Sequence, residues 1–215
     1  MANRSLYPCL VLLACSVLLA GCSTSQIHSA AHHSDLSLEK GDLETRGLAF
    51  LTPSTVTGQE EDRQTLAFIF AEVIREDRPE IPVVSLPETL SAINTNGFAV
   101  DYKNMYDDYR YTGIFKREIL ALVGEVTNAR YLVQLQLADF SQKSKGRFSF
   151  LGLRVFQTQE ANIRLFCQIW DSTDGSIVWE GTEEVNYAWD TGAEKPVTFR
   201  VIVKETARNL LGHLP

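Results

Sequence analysis

An α/β fold organised on one mixed sheet is what this sequence predicts, and three observations predict it. From Ala161 to Ile169 apolar and polar residues alternate: Ile163, Leu165, Cys167 and Ile169 share one face, Asn162, Arg164, Phe166 and Gln168 the other. That period of two belongs to a half-buried strand. Asp171-Ser-Thr-Asp-Gly175 then offers Asx-type side chains and a glycine able to take positive φ, and the β-rich run Ile177 to Tyr187 returns antiparallel. Upstream, short apolar runs alternate with stretches whose apolar residues recur at three and four, the order of strand–helix–strand crossovers. Two crossover units, a meander and a closing helix make an α/β (α+β) sheet of about five strands, parallel and antiparallel, with helices on at least one face.

Each element has its own signal. Gly47 to Leu51 is a continuous apolar run, suited to a strand covered on both faces, and Pro53 ends it. Thr57-Gly-Gln-Glu60 fits a capping box for a helix whose stripe is Leu66, Ile69, Phe70, Val73 and Ile74. Glu60, Glu61 and Asp62 crowd its first turn, where the helix dipole favours anions. Ile81 to Ser85 reads as the second strand, and Ser85-Leu-Pro-Glu88 repeats the capping pattern for a short helix to about Asn94. Asp101 to Tyr111 is helical, with Tyr102, Tyr106 and Tyr109 on one face. Thr112 is placed to cap the next helix, from Ile114 to Thr127. Tyr131 to Phe140 alternates Val133, Leu135 and Leu137 with Gln134, Gln136 and Ala138 and is the third strand. Ser141 to Arg147 reads as a basic connector, Phe148 to Phe156 as an aromatic lead into the hairpin. The last helix runs through Phe199, Ile202, Val203, Ala207 and Leu210 and stops near Gly212.

The N-terminus is of a different kind. Arg4, an apolar run from Leu10 to Ala20 and then small residues read as a bacterial export signal, the run being shorter than a membrane span requires. Its end, Leu19-Ala20-Gly21-Cys22, resembles the lipobox of bacterial lipoproteins, which implies cleavage between Gly21 and Cys22 and fatty acylation (palmitate) of the Cys22 thiol and new amine. Three chains at roughly 0.8 kcal/mol per buried methylene amount to stable anchoring. Ser23, not an aspartate, follows the cysteine; by the same resemblance this implies the periplasmic face of the outer membrane rather than the inner. Residues 1–21 are thus the signal, 22–46 a lipidated flexible tether, and 47–215 the periplasmic domain.

Composition narrows function by exclusion. The 215 residues are 45% apolar and 22% charged, enough for one ordinary core, and the formal charge is −7. An acidic domain disfavours nucleic acid as a partner. Of four cysteines only Cys167 lies in the domain, on the apolar face of its strand, which reads as a small core residue and leaves no disulfide framework. His28, His32 and His33 in a polar tether lack the rigid shell that a metal site needs, so no metal or cofactor is expected. Asp107 and Asp108 are helix neighbours and Glu183 and Glu184 point to opposite faces of a strand, so neither pair can converge on one atom as a hydrolase requires.

Ala129-Arg-Tyr-Leu-Val-Gln-Leu135 and the hairpin from Ile163 to Trp179 resemble signatures of the lipoproteins similar to the curli secretion-channel lipoprotein CsgG, the peptidoglycan-synthase activators and the TolB N-terminal-like folds. The resemblance implies a periplasmic α/β domain over Gly47 to Leu211. In the channel, long insertions form membrane-crossing hairpins of about nine to eleven residues per strand. Ser141 to Thr158, with Lys143, Lys145, Arg147 and Arg154, leaves no room for one beside the core strands. A non-enzymatic accessory protein that binds another envelope protein is therefore expected, with Tyr102, Tyr106 and Tyr109 the candidate partner face, since tyrosine is enriched where surfaces meet. A CsgG-type channel subunit is the alternative, an envelope hydrolase the second, and homo-oligomerisation stays open.

Overall fold

The computed structural model describes residues 25–150, 153–191 and 198–215. Its centre is a seven-stranded mixed sheet. The strands are β1 (Ser25–Asp35), β2 (Leu48–Phe50), β3 (Ser54–Thr55), β4 (Val83–Val84), β5 (Tyr131–Phe150), β6 (Leu153–Asp171) and β7 (Ile177–Thr191). They lie in the order β1-β7-β6-β5-β2-β4, with β3 paired to β5 off that path. The helices are α1 (Asp42–Arg46), α2 (Glu60–Asp77), α3 (Leu86–Thr95), α4 (Ala99–Thr112), α5 (Arg117–Thr127) and α6 (Phe199–Leu211).

Period-two alternation sorts each long strand between two cores. On one face Val133, Leu135, Ile163, Leu165, Cys167, Ile169, Trp179 and Val185 meet the apolar stripes of α2 and α6. On the other, Leu132 and Trp170 meet Ile93 of α3, Tyr102 and Met105 of α4, and Leu120 and Val123 of α5. Helices thus cover both faces, so β2, all three residues of which are fully buried, reads as a continuous apolar run. It pairs parallel to both β4 and β5, as a crossover architecture requires. The hairpin turn forms as its residues dictate: Asp171 Oδ1 accepts from the Thr173 amide at 2.8 Å, Asp174 Oδ1 from the Ser176 amide at 2.8 Å, and Gly175 takes φ 77°. Glu88 completes the second capping box, accepting from the Ser85 amide (2.7 Å) and hydroxyl (2.6 Å).

Several expectations are corrected. The sheet has seven strands rather than about five, because the two-residue strand β3 carries no readable period and because β1 arises in the supposed tether, whereas β4 lies within the expected second strand from Ile81 to Ser85. Ser25–Asp35 pairs antiparallel with β7 from Trp189 to Trp179, and Asp42–Arg46 is helical. An edge strand borrows its ladder from a neighbour and needs no apolar face of its own. Ser141 to Arg147 is no connector either, since β5 runs unbroken to Phe150 and β6 starts at Leu153, with paired residues out to Phe150↔Leu153. The objection to a long hairpin fails with it. Thr57 lies outside α2, whose N-cap is Gln59, and bonds Asp62 instead. Thr112 closes α4, its hydroxyl donating to the Asp108 carbonyl at 2.8 Å, while Lys116 caps α5.

Candidate functional site

The tyrosine face expected to meet a partner is turned inward on the sheet. Tyr102 is buried, its hydroxyl accepting from the Thr52 amide at 3.0 Å. Tyr106 donates to Gln134 Oε1 at 2.9 Å and Tyr109 to Gln168 Oε1 at 3.3 Å. Tyr109 stacks on Phe115 at 4.0 Å between centroids, and Phe115 meets Trp170 edge-on at 5.2 Å. Burial raises the pKa of all three phenols, most of all that of Tyr106. Gln134 and Gln168 sit on the polar face of their strands because α4 brings hydroxyls to them, pairings of 28 and 59 residues' separation that no local pattern announces. Tyr106→Phe leaves the Gln134 carbonyl, fully buried, without its donor and is expected to cost about 1–3 kcal/mol in urea unfolding. Tyr111→Phe, at a residue 91% exposed, is the control and should change nothing.

The other sequence candidates separate. Gly21 and Cys22 lie outside the described residues. Asp107 is taken by Lys103 at 2.6 Å on the outside of α4. His28 and His32 share one face of β1, and His33 lies on the other. Cys167 is buried in the first core, and burial pushes its thiol up to about 12, so it is no nucleophile. Among the described residues no group of three His, Cys, Asp or Glu is placed to hold a metal, and no helix is long and apolar enough to cross a membrane.

Glu183 differs from the other candidate carboxylates, since Asp108 is exposed and Asp107 and Glu184 are half-buried. It has no exposed surface, and neither carboxylate oxygen has a hydrogen-bond partner among the described residues. Burial raises its pKa, opposed by the nearby Asn209 amide, the His213 imidazole and the Ser29 hydroxyl. His213 in turn stacks on His33 of β1, with centroids 4.6 Å apart and planes 15° apart. Strand β1, strand β7 and the end of α6 therefore meet at one titratable cluster. The sequence held its signal: Trp179, Gly181, Glu183 and Val185 alternate, which puts a glutamate on the core face.

No family profile matches the chain, and no curated protein matches it. Among solved structures it is similar to a single-residue variant of the PelC dodecamer from Paraburkholderia phytofirmans, with 12% identity, a TM-score of 0.47, and 87% of this chain and 97% of that one covered. It is similar also to a lipoprotein from Neisseria meningitidis, with 10% identity, a TM-score of 0.41, and 76% and 96% covered. A third is the C-terminal domain of LpoB from Salmonella enterica, with 13% identity, a TM-score of 0.37, and 65% and 81% covered. At these levels of similarity none of the three tells what the chain does.

Proposed function

We propose that the chain is an outer-membrane lipoprotein whose periplasmic domain acts as a non-enzymatic interaction or assembly accessory for another envelope protein. The observation that carries this reading is where the lipobox stands. Cys22 precedes Ser25, the first residue of edge strand β1, by three positions, so the acylated residue would lead into the sheet through two residues, a span of roughly 10 Å. Such an arrangement holds a folded domain against the lipid surface instead of at the end of a long leash. Among the described residues β1 has β7 as its one neighbour in the sheet order and leaves its other edge open over eleven residues. An open edge of that length is a template on which a partner's extended segment can add a strand.

Cys22→Ser tests the reading. The variant should accumulate as full-length precursor, take up no radioactive palmitate, and leave the outer-membrane fraction. Processed, labelled variant protein would overturn it. The alternative of a CsgG-type channel subunit gains from one observation: β5 and β6 form a continuous hairpin of 20 and 19 residues, of which the outer ten of β5 exceed the core strand expected from sequence. A bacterial transmembrane strand needs about nine to eleven. Steady single-channel conductance of the lipidated protein in a planar bilayer would favour the channel; silence under conditions that reconstitute a porin would favour the accessory.

A further inference from the structure

We propose that β1 is a proton-gated strap: it stays docked on β7 while the Glu183 carboxyl beside it is neutral and detaches when that carboxyl ionises. Four observations carry this. Glu183 is wholly buried, neither of its oxygens makes a close hydrogen bond among the described residues, and the nearby Asn209, His213 and Ser29 side chains do not offset its burial, an arrangement that favours the neutral carboxyl over the carboxylate. Ala31 of β1 lies directly opposite Glu183 in the ladder, so the strand forms the lateral wall of its pocket. From His28 to Asp35 every β1 residue except the half-buried Ala31 is exposed, so side-chain burial adds little to the main-chain ladder. The stacked rings of His33 and His213 join the strand to the end of α6.

The groups that face Glu183 are few. β1 contributes Ser29 and, through the stack, His33; α6 and its end contribute Asn209 and His213. Glu205 lies one helical turn before Asn209 on α6. Across the ladder on β6 stand Leu165, and beside it Cys167, which is neutral. Among the described residues no lysine or arginine acts on the Glu183 carboxyl. The strapped form therefore prefers the protonated carboxyl, whose advantage is complete below the ordinary carboxylate value and is lost as pH rises through the raised folded value. Lifting β1 opens the wall and lets water reach the carboxylate, at the loss of one edge ladder.

The consequence for the anchored protein, which rests on the lipoprotein reading, is a change of reach. Released, the eleven residues of β1 add about 36–40 Å to the tether. Acid surroundings would hold the domain at the membrane and neutral ones would let it out.

Hydrogen exchange of the full-length protein in detergent micelles, corrected for intrinsic rates, tests the strap at pH 5 and pH 8. Those amides of 26–34 that donate to β7 should lose about tenfold or more of their protection at pH 8, while the paired amides of Val133 to Leu137 and Ile163 to Ile169 keep theirs. Glu183→Gln, and Glu183→Leu as a second variant, should abolish the step. The proposal is overturned if β1 protection is the same at both pH values, if the central strands open along with β1, or if the step survives both Glu183 variants. It is likewise overturned if His213→Asn, and not Glu183→Gln, removes the step. Cys22→Ser leaves these amides unaffected, so failure of acylation and failure of the strap are read separately.

Discussion

Trp179→Ala is expected to lower the unfolding free energy by about 3–5 kcal/mol, the range for removing a large aromatic from a core. Trp179 is fully buried on β7 among the side chains that α2 and α6 bring to the sheet. The structure around it is built to its shape: a Cβ added at Gly181 would come within 2.5 Å of the indole and 2.9 Å of Leu210. Glycine at 181 is thus what admits the ring, and alanine at 179 would leave a void that the sheet backbone cannot close. Urea unfolding followed by far-ultraviolet circular dichroism measures the loss. Trp179→Phe should cost less, since it keeps most of the volume and removes an indole N–H that has no partner among the described residues. A loss below about 1 kcal/mol for the alanine variant would mean that this core is not packed as described.

Asp171→Ala comes second, at about 1.5–3 kcal/mol for a lost set of charge-assisted hydrogen bonds. Its Oδ2 accepts from Arg130 Nε at 2.9 Å and Nη2 at 2.7 Å, and its Oδ1 accepts from the Thr173 amide at 2.8 Å and hydroxyl at 2.6 Å. The carboxylate ties the start of β5 to the turn after β6. Burial pushes its pKa up, but the bonds from Arg130 and Thr173 outweigh that and hold it below the usual carboxylate range. A depressed folded value means that its contribution is present above the unfolded value near ~4 and disappears as pH falls through the folded one. The stability gap between wild type and Asp171→Asn should accordingly be full at pH 7 and shrink steadily below pH ~4. A gap independent of pH would show that packing, not the ionised carboxyl, accounts for it.

The opposite pH behaviours of Asp171 and Glu183 come from position alone. Both are carboxyls with almost no exposed surface at the hairpin or its strands. Asp171 sits in a turn, where bent backbone and a neighbouring arginine present donors, and its charge is held. Glu183 sits mid-strand, where the backbone donors are committed to the ladder, and the nearby Asn209, His213 and Ser29 side chains do not outweigh its burial.

What the sequence by itself determined follows from periodicity and local chemistry. The alternation of Ile163 to Ile169 places Cys167 in the core, the Asp171-to-Gly175 turn closes the hairpin, and the three-and-four stripe of α2 finds the sheet, because each is set by residues within a few positions of one another. The Leu19-Ala20-Gly21-Cys22 pattern that resembles a lipobox is likewise local and belongs to the sequence. Tertiary structure decided whatever depends on a distant neighbour. It made Ser25–Asp35 a strand, because β7 offers an open ladder to a segment with no apolar face. It turned the Tyr102, Tyr106 and Tyr109 face inward, because Gln134, Gln168 and Phe115 wait there. It carried β5 and β6 past Phe140 as one hairpin, because main-chain pairing continues where side-chain alternation fades. And it buried Glu183 where strand β1, strand β7 and the end of helix α6 meet, because Ala31 and Asn209 come to it from distant parts of the chain.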